Sequence, residues 1–131
     1  MAGEQTLPGS LKIKIQILCG DALAMGPGKA DLLDAIKAEG SISGAGRKLG
    51  MSYRRTWLLV DMMNRCWEQP LVETLAGGSH GGGARVTAFG DTILAAYRAL
   101  QARAGLVGEE AEWGALQAAL RSEPRASQSE S

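Results

Sequence analysis

Apolar and polar residues alternate strictly near the beginning of the chain, in the stretch LKIKIQIL at residues 11–18. Successive side chains of a strand point to opposite faces, so this period of two predicts a half-buried β-strand. Its inward face would carry Leu11, Ile13, Ile15 and Ile17. The next residues, 19–28, include Gly-Pro-Gly and are predicted to form a connection.

Two clear helical patterns follow. Residues 29–40 place apolar side chains three and four positions apart, which predicts a helix that Gly40 can close. Residues 53–67 predict a longer helix that Ser52 caps and that cannot continue through Pro70.

A weaker helical pattern lies between them, at residues 41–50. Ser43 is predicted to cap this short helix, and Gly50 breaks it. Gly44 and Gly46 inside a helix each cost roughly 1 kcal/mol relative to Ala. We therefore expect this helix to depend on packing against its neighbours.

The second half of the chain predicts a hairpin and then helices. Residues 71–75 and 84–88 read as two strands around a glycine-rich tip. Thr87 can cap a long helix at 88–104, and a shorter helix is expected at 109–121. The predicted inward stripe of the long helix is Phe89, Ile93, Ala96, Tyr97 and Leu100.

This order of elements predicts a mainly α protein with a small β component. Helix, short helix, turn, helix and β-hairpin in succession are typical of a winged helix-turn-helix. We expect a disordered N-terminus at 1–10, a winged helix-turn-helix domain at 11–104, a helical extension at 105–121 and a disordered tail at 122–131.

The helix at 53–67 divides into two faces at 100° per residue. Arg54, Asp61 and Arg65 share an exposed stripe, on which Asp61 and Arg65 are spaced to pair. The opposite face, which we expect to be buried, carries Tyr53, Thr56, Leu59, Val60 and Met63.

The first turn of that helix carries Ser52, Tyr53, Arg54 and Arg55. In helix-turn-helix proteins this turn enters the major groove, where an arginine can grip guanine with two hydrogen bonds. Hydroxyl groups and N–H groups at a helix start suit phosphates. The alternative is a solvated helix start, although cations there oppose the helix dipole.

Other residues complete the predicted DNA-binding surface. Ser43, Arg47 and Lys48 belong to the preceding short helix, where backbone phosphates would pass. Within the hairpin, Arg85 and His80 are placed to reach phosphates or the minor groove, with a bystander role for His80 as the alternative.

Charge is unevenly distributed along the 131 residues, although the formal net charge is zero. Between residues 41 and 66 five basic residues face one acid, whereas acids prevail after residue 105. A hydrophobic content of 45% is enough for one folded domain. The basic middle favours an anionic partner for that part of the chain.

Several other classes of function find no support in the sequence. Cys19 and Cys66 match no metal-ligand spacing, and no apolar run approaches a membrane span. The glycine-rich tip lacks the Gly-Lys-Ser/Thr of a phosphate loop, and no catalytic constellation is present. We expect a cytoplasmic protein that is not an enzyme and has no metal, cofactor or membrane partner.

The stretch GPGKADLLDAIKAEGSISGAGRKLGMSYRRTWLLVDMMN, residues 26–64, carries a specific resemblance. Its Gly-Ser-Ile-Ser start, its Gly-Met-Ser-Tyr-Arg-Arg turn and its Met-Asn resemble the DNA-binding domain of the molybdate-responsive transcriptional regulators, the ModE family. The glycine-rich hairpin also resembles that family's wing, here residues 77–83. The likeness extends over about residues 11–104.

The resemblance implies a winged helix-turn-helix homodimer that binds palindromic operator DNA and controls molybdate transport or molybdoenzyme genes. The long helix after the wing would contribute to dimerisation. Full-length members continue into small oxyanion-binding β-domains, whereas only an acidic segment and a polar tail follow Ala104 here. We therefore do not expect direct molybdate binding. Gly44 and Gly46 also stand where related sequences tend to carry Ala.

The sequence thus predicts a sequence-specific DNA-binding transcriptional regulator of the molybdate-regulator type. Two alternatives stay open at this point. One is an oxyanion sensor or carrier with its own anion pocket. The other is a winged-helix protein-interaction module that offers its basic helix to acidic partners.

Overall fold

A computed structural model describes residues 9–75 and 82–129. Contacts divide the chain into two compact units. The first unit comprises residues 14–101, and the second comprises the described residues before 14 and after 101. The domain boundaries expected from the sequence, at 11 and 104, stay predictions.

The first unit opens with a two-stranded antiparallel hairpin, β1 (Ile17–Cys19) and β2 (Ala22–Met25). The strand predicted at 11–18 is therefore wrong for residues 11–16, and the predicted connection contains a strand. Alternation marks a strand only where a partner supplies ladder hydrogen bonds, and residues 11–16 have none assigned. Leu11 and Ile13 are accordingly exposed rather than inward-facing.

Three helices follow: α1 (Pro27–Glu39), α2 (Ile42–Leu49) and α3 (Tyr53–Cys66). Gly40 and Gly50 close α1 and α2 in the left-handed conformation, with φ of 77° and 71°. A side chain disfavours this conformation, which is why glycine stands at both junctions. The predicted order of helix, short helix, turn and helix is confirmed.

The N-cap of α2 differs from the prediction. Ser41, not Ser43, accepts the hydrogen bond from the backbone N–H of Gly44 at 2.9 Å. The earlier start makes Ile42 the first helical residue and places it on the same face as Ala45, and both are buried. Both serines could cap a helix by sequence. The start at Ser41 is the one that brings Ile42 into the helix and onto its buried face.

The hairpin after α3 consists of β3 (Val72–Thr74) and β4 (Ala84–Val86), paired antiparallel with Val72 opposite Val86. The next helix, α4 (Ala88–Gly105), begins after Thr87, whose hydroxyl accepts the N–H of Gly90 at 2.9 Å. The predicted hairpin is confirmed, although its strands are shorter than 71–75 and 84–88, and so is the predicted cap of α4 by Thr87. The glycine-rich tip, including His80 and most of the predicted wing 77–83, lies outside the described residues.

One hydrophobic core joins the elements of the first unit. It is formed mainly by Met25, Leu32, Leu33, Ile36, Ile42, Ala45, Val60, Met63, Leu71, Val72, Leu94 and Tyr97. Thr56 is also fully buried, as predicted for its face of α3, and the hydroxyl of Tyr97 donates to the carbonyl of Ile15 at 2.7 Å.

Two predicted inward faces are partly wrong. Tyr53 is 63% exposed because the first turn of α3 extends past the core, where its ring meets Trp57 instead. On α4, Leu94 and Tyr97 are buried, whereas Ala96 and Leu100 are exposed. The buried stripe of α4 is therefore narrower than the sequence indicated.

The second unit contains a 3-10 turn (Leu106–Glu109) and α5 (Ala111–Ala119), which is shorter than the helix predicted at 109–121. Residues 120–129 contain no helix or strand. Among the described residues, no helix is both long and apolar enough to span a membrane. The architecture is that of a winged helix-turn-helix: mainly helical, with two small sheets.

Candidate nucleic-acid interface

The first turn of α3 is fixed by its own capping residue. The hydroxyl of Ser52 accepts the backbone N–H of Arg55 at 3.1 Å. The carbonyl of Ser52 accepts both the N–H of Thr56, at 3.0 Å, and its hydroxyl, at 2.7 Å. Because Thr56 is fully buried, these bonds anchor the exposed turn to the core.

The four residues of this turn, Ser52 to Arg55, are all exposed. Neither Arg54 nor Arg55 forms an ion pair with any described carboxylate. A guanidinium group without a carboxylate partner keeps all its donors for another acceptor. The first turn of α3, which we call the reading turn, therefore exposes two arginines that are not paired with a described carboxylate.

The other basic residues predicted for the surface are more varied. Arg47 is exposed, with no ion pair within the described ranges. The Lys48 Nζ lies 3.8 Å from a carboxylate oxygen of Glu39, and the Arg85 Nε lies 3.2 Å from Glu73 across the hairpin. Lys48 and Arg85 would therefore exchange a carboxylate for a phosphate on binding DNA.

The exposed stripe of α3 continues away from this turn. Arg65 Nε donates to Asp61 at 3.0 Å, which confirms the pairing predicted from their spacing. Both side chains are well exposed, so the pair contributes little to stability. It does reduce the positive charge at the far end of the helix, which leaves the first turn as the cationic part.

A cleft of about 260 Å³ joins α2, α3 and the base of the hairpin. It is lined by Ser41, Ile42, Ser43, Tyr53, Trp57, Thr74, Gly82, Gly83 and Ala84. Two predicted contact residues, Ser43 and Tyr53, thus face the same opening as the wing base. A single duplex segment can meet both from one side.

Trp57 also lines this cleft. Its ring centroid lies 6.1 Å from that of Tyr53, with the planes at 68°, an edge-to-face arrangement. The one signal available in the sequence was the spacing of four residues, which places both rings on the same side of a helix.

Asn64 connects α3 to the wing and was missed by sequence reasoning. Its Oδ1 accepts the N–H groups of Leu71 and Val72 at 2.9 and 3.1 Å, and its Nδ2 donates to the Val72 carbonyl at 3.0 Å. An amide side chain is the group that offers both acceptor and donor in this way. In the sequence, this role could have been suspected because Asn64 is a lone amide near the end of an otherwise apolar face of the helix.

The base of the wing is also bonded to α1. The N–H of Ala84 donates to the carbonyl of Gly40 at 2.9 Å, and the N–H of Leu75 donates to Gly83 at 2.8 Å. Of the predicted site residues, His80 lies outside the described residues. Ser43 and Tyr53 line the same cleft at the wing base, whereas Arg85 pairs with Glu73 and is not among the lining residues. Arg47 and Lys48 lie in the last turn of α2.

This arrangement suits electrostatic and hydrogen-bonding contact with a polyanion. Within residues 9–75 and 82–129, no group of three His, Cys, Asp or Glu residues is placed to hold a metal ion. The free guanidinium groups and the hydroxyls at the start of α3 are the chemistry that reads base edges and phosphates.

Comparison with known proteins gives a consistent result. No protein-family model matches the chain. The chain is 43% identical over 77 residues to the molybdenum-pterin-binding protein MopA of Rhodobacter capsulatus and 46% over 70 residues to the molybdenum transport protein ModE of Azotobacter vinelandii. It is 38% identical over 71 residues to the DNA-binding transcriptional dual regulator ModE of Escherichia coli K12. The resemblance to the ModE-type regulators is confirmed.

The match concerns only part of each protein. It covers 59%, 53% and 54% of this chain but 29%, 26% and 27% of those three relatives. The chain thus spans less than a third of the length of these curated relatives. Among solved structures, the full-length LysR-type regulator LysG of Corynebacterium glutamicum aligns over 67% of this chain and 30% of its own, with 28% identity and a TM-score of 0.46.

Proposed function

We propose that this chain is a sequence-specific DNA-binding transcriptional regulator of the molybdate-regulator type. The observation that carries the proposal is the exposed turn Ser52–Arg55, which the Ser52 cap holds rigid and in which Arg54 has no described carboxylate partner. The turn begins the third helix of a winged helix-turn-helix in a chain related to ModE proteins. Its target genes would be those of molybdate transport or molybdoenzymes, and it would act in the cytoplasm.

Each predicted residue has a role in this proposal. Arg54 reads a base edge in the major groove, with Arg55 beside it. Ser43, Arg47, Lys48, Ser52 and Tyr53 bind backbone phosphates from the helix-turn-helix, while Arg85 and His80 do so from the wing. These contacts make binding steeply dependent on salt, because each neutralised phosphate releases counterions.

The chain would bind as a homodimer on a palindromic site, with half-sites one helical turn or a multiple apart. Support comes from large apolar side chains that the second unit leaves exposed: Leu11, Ile13, Leu106, Val107, Leu116 and Leu120. Apolar side chains gathered in so small a unit are typical of a surface that a second copy covers.

Fluorescence anisotropy tests the proposal directly. The protein is titrated onto a labelled duplex from upstream of the host's molybdate-transport genes and onto a scrambled duplex of equal length, with and without molybdate. Preferential binding to the upstream duplex supports the proposal. Equal weak binding to both duplexes refutes it and favours a protein-interaction module. A molybdate-dependent increase would reveal an anion site in the chain.

A further inference from the structure

A second cleft, of about 280 Å³, lies at the beginning of α1 on the other side of α3 from the wing. Three basic residues line it, Lys14, Lys29 and Arg55, together with the amide of Gln16. No carboxylate is among its described lining residues. We name it the α1 cleft. Its polar side chains come from three separate parts of the chain, and three of the four are cations that can only donate hydrogen bonds.

Lys29 is the most unusual of these residues because it is only 7% exposed. Within the described residues its ammonium group has no hydrogen bond or ion pair, and the same holds for the side chains of Lys14 and Arg55. Five other basic residues do lie against carboxylates: Lys37, Lys48, Arg65, Arg85 and Arg98. Since no buried side-chain nitrogen lacks a partner within the described residues, the Lys29 ammonium must reach the opening of the cleft while the rest of the residue is buried. There it is unpaired and accessible to an anion.

The start of α1 adds backbone donors to the same cleft. Its N-cap is Gly26, which has no side chain to accept them, and the first helical residue, Pro27, has no N–H. Within the described residues the N–H groups of Gly28 and Lys29 have no acceptor, and the first turn contains no acidic residue. A side chain at Gly28 would meet nothing within 4 Å, so the approach is open.

We propose that the α1 cleft binds one tetrahedral oxyanion of the phosphate type. The N–H groups of Gly28 and Lys29 would hold its oxygens at the positive end of the helix, and the Lys29 ammonium would neutralise its charge. Lys14 and Arg55 would close over it. Leu23, Met51 and Leu59 form the apolar remainder of the wall, which strengthens these charge interactions by lowering the local dielectric.

The electrostatics of the cleft agree with this assignment. Burial lowers the pKa of Lys29; the nearby Cys66 thiol opposes this shift, and Arg55 lowers the pKa further. An anion held against Lys29 would offset both the burial and the repulsion.

The oxyanion has two possible sources. Arg55 belongs to the proposed reading turn, so the group could be a backbone phosphate of the bound duplex, and that source rests on the proposed function. The other source is free inorganic phosphate, for which DNA binding is irrelevant. Both present the same chemistry to the cleft, and the two arms of the experiment separate them.

The first arm is an NMR titration of the ¹⁵N-labelled whole chain with inorganic phosphate, at ionic strength held constant with sodium chloride. We expect saturable shifts of the Gly28 and Lys29 amide signals. Lys29→Met should weaken the apparent affinity about tenfold or more, since one charge-assisted contact is lost. Lys12→Met removes an exposed lysine outside the cleft and should leave the titration unchanged.

The second arm measures duplex affinity against salt for the same three proteins. If a duplex phosphate occupies the cleft, Lys29→Met lowers the slope of log K against log salt by about 0.9, the value for one phosphate. Saturable phosphate shifts support the free anion, and a reduced slope supports the duplex phosphate. If the wild-type amides do not respond to phosphate and the slope of Lys29→Met equals that of wild type, the site does not exist. If the protein fails to bind the duplex at all, the proposed function is overturned. The phosphate titration of the first arm then decides alone whether the α1 cleft binds an oxyanion.

Discussion

Thr56 of α3 lies directly against Gly46 of α2, so closely that a β-carbon at residue 46 would stand 3.2 Å from the Thr56 Cβ and would overlap its hydroxyl. The Thr56 side chain cannot swing away without cost, because it is fully buried and its hydroxyl donates to the Ser52 carbonyl at 2.7 Å. The two helices of the helix-turn-helix therefore meet at this glycine.

We predict that Gly46→Ala destabilises the protein. Helix propensity alone would favour Ala by roughly 1 kcal/mol. Overpacking of a rigid contact costs about 1–3 kcal/mol, and here the nearest atoms belong to a short, hydrogen-bonded side chain. The difference is a net loss of roughly 1 kcal/mol, and at most about 2 kcal/mol, in the free energy of unfolding, which urea denaturation measures.

The matched control is Gly28→Ala, also within a helix, where an added β-carbon meets nothing within 4 Å. It should leave stability unchanged or raise it. In a double-mutant cycle, Thr56→Ala should relieve part of the loss caused by Gly46→Ala. Equal stability of Gly46→Ala and wild type would mean that α2 shifts away from α3 freely.

A second prediction concerns the cap of α2. Ser41→Ala removes the acceptor for the Gly44 N–H and should cost about 1 kcal/mol of unfolding free energy. Ser43→Ala, inside the same helix, should leave stability unchanged or raise it by a few tenths of a kcal/mol, because Ala has the higher helix propensity. Thermal denaturation of both variants compares them, and a larger loss for Ser43→Ala would restore the cap position that the sequence suggested.

These examples show which parts of the fold are local properties. Ser52, Thr87, Gly40 and Gly50 were predictable as caps and breaks because each acts on its own neighbours. The choice of Ser41 over Ser43 depends on burying Ile42, and the strand at 17–19 depends on a partner strand after a turn. Both results depend on contacts between residues that are far apart in the sequence, so a short stretch of sequence cannot predict them.

The same division applies to the candidate interface. The charges and hydroxyls of the α3 start were predictable from composition and helix position. Whether each basic residue forms an ion pair was not predictable, because the partner of Lys48 lies on α1 and the partner of Arg85 lies on the opposite strand. Trp57 and Asn64 were missed because their roles depend on the place where the wing meets α3.

A third prediction separates reading from general attraction. Arg54→Ala should lower affinity for the operator duplex by about 5- to 150-fold, the equivalent of roughly 1–3 kcal/mol, and have a much smaller effect on scrambled DNA. Lys48→Ala should weaken both duplexes by a similar small factor and reduce the salt slope by about one. Anisotropy titrations on both duplexes give these ratios. Equal losses on both duplexes for Arg54→Ala would contradict its base-reading role.

A fourth prediction follows from the ion pair between Glu73 and Arg85 at 3.2 Å. Glu73→Gln should raise duplex affinity about two- to fivefold, because an exposed ion pair worth up to about 1 kcal/mol no longer competes for the guanidinium. The gain should vanish when Glu73→Gln is made in an Arg85→Gln background. A gain that persists there would come from the lost negative charge alone, and Arg85 would not be a contact.

The last prediction concerns the link between α3 and the wing. Asn64→Ala deletes the acceptor of two backbone N–H groups, those of Leu71 and Val72, in a part of the chain where both residues are buried. Each unsatisfied group costs about 1–3 kcal/mol, so two of them should lower the unfolding free energy by about 2–6 kcal/mol. Hydrogen exchange should show faster exchange at Leu71 and Val72 than in wild type.

Gln69→Ala, an exposed amide five residues later, is the control and should change neither quantity. If exchange at Leu71 and Val72 is unaltered in Asn64→Ala, the strand is held by its pairing with β4 alone, and Asn64 does not position the wing.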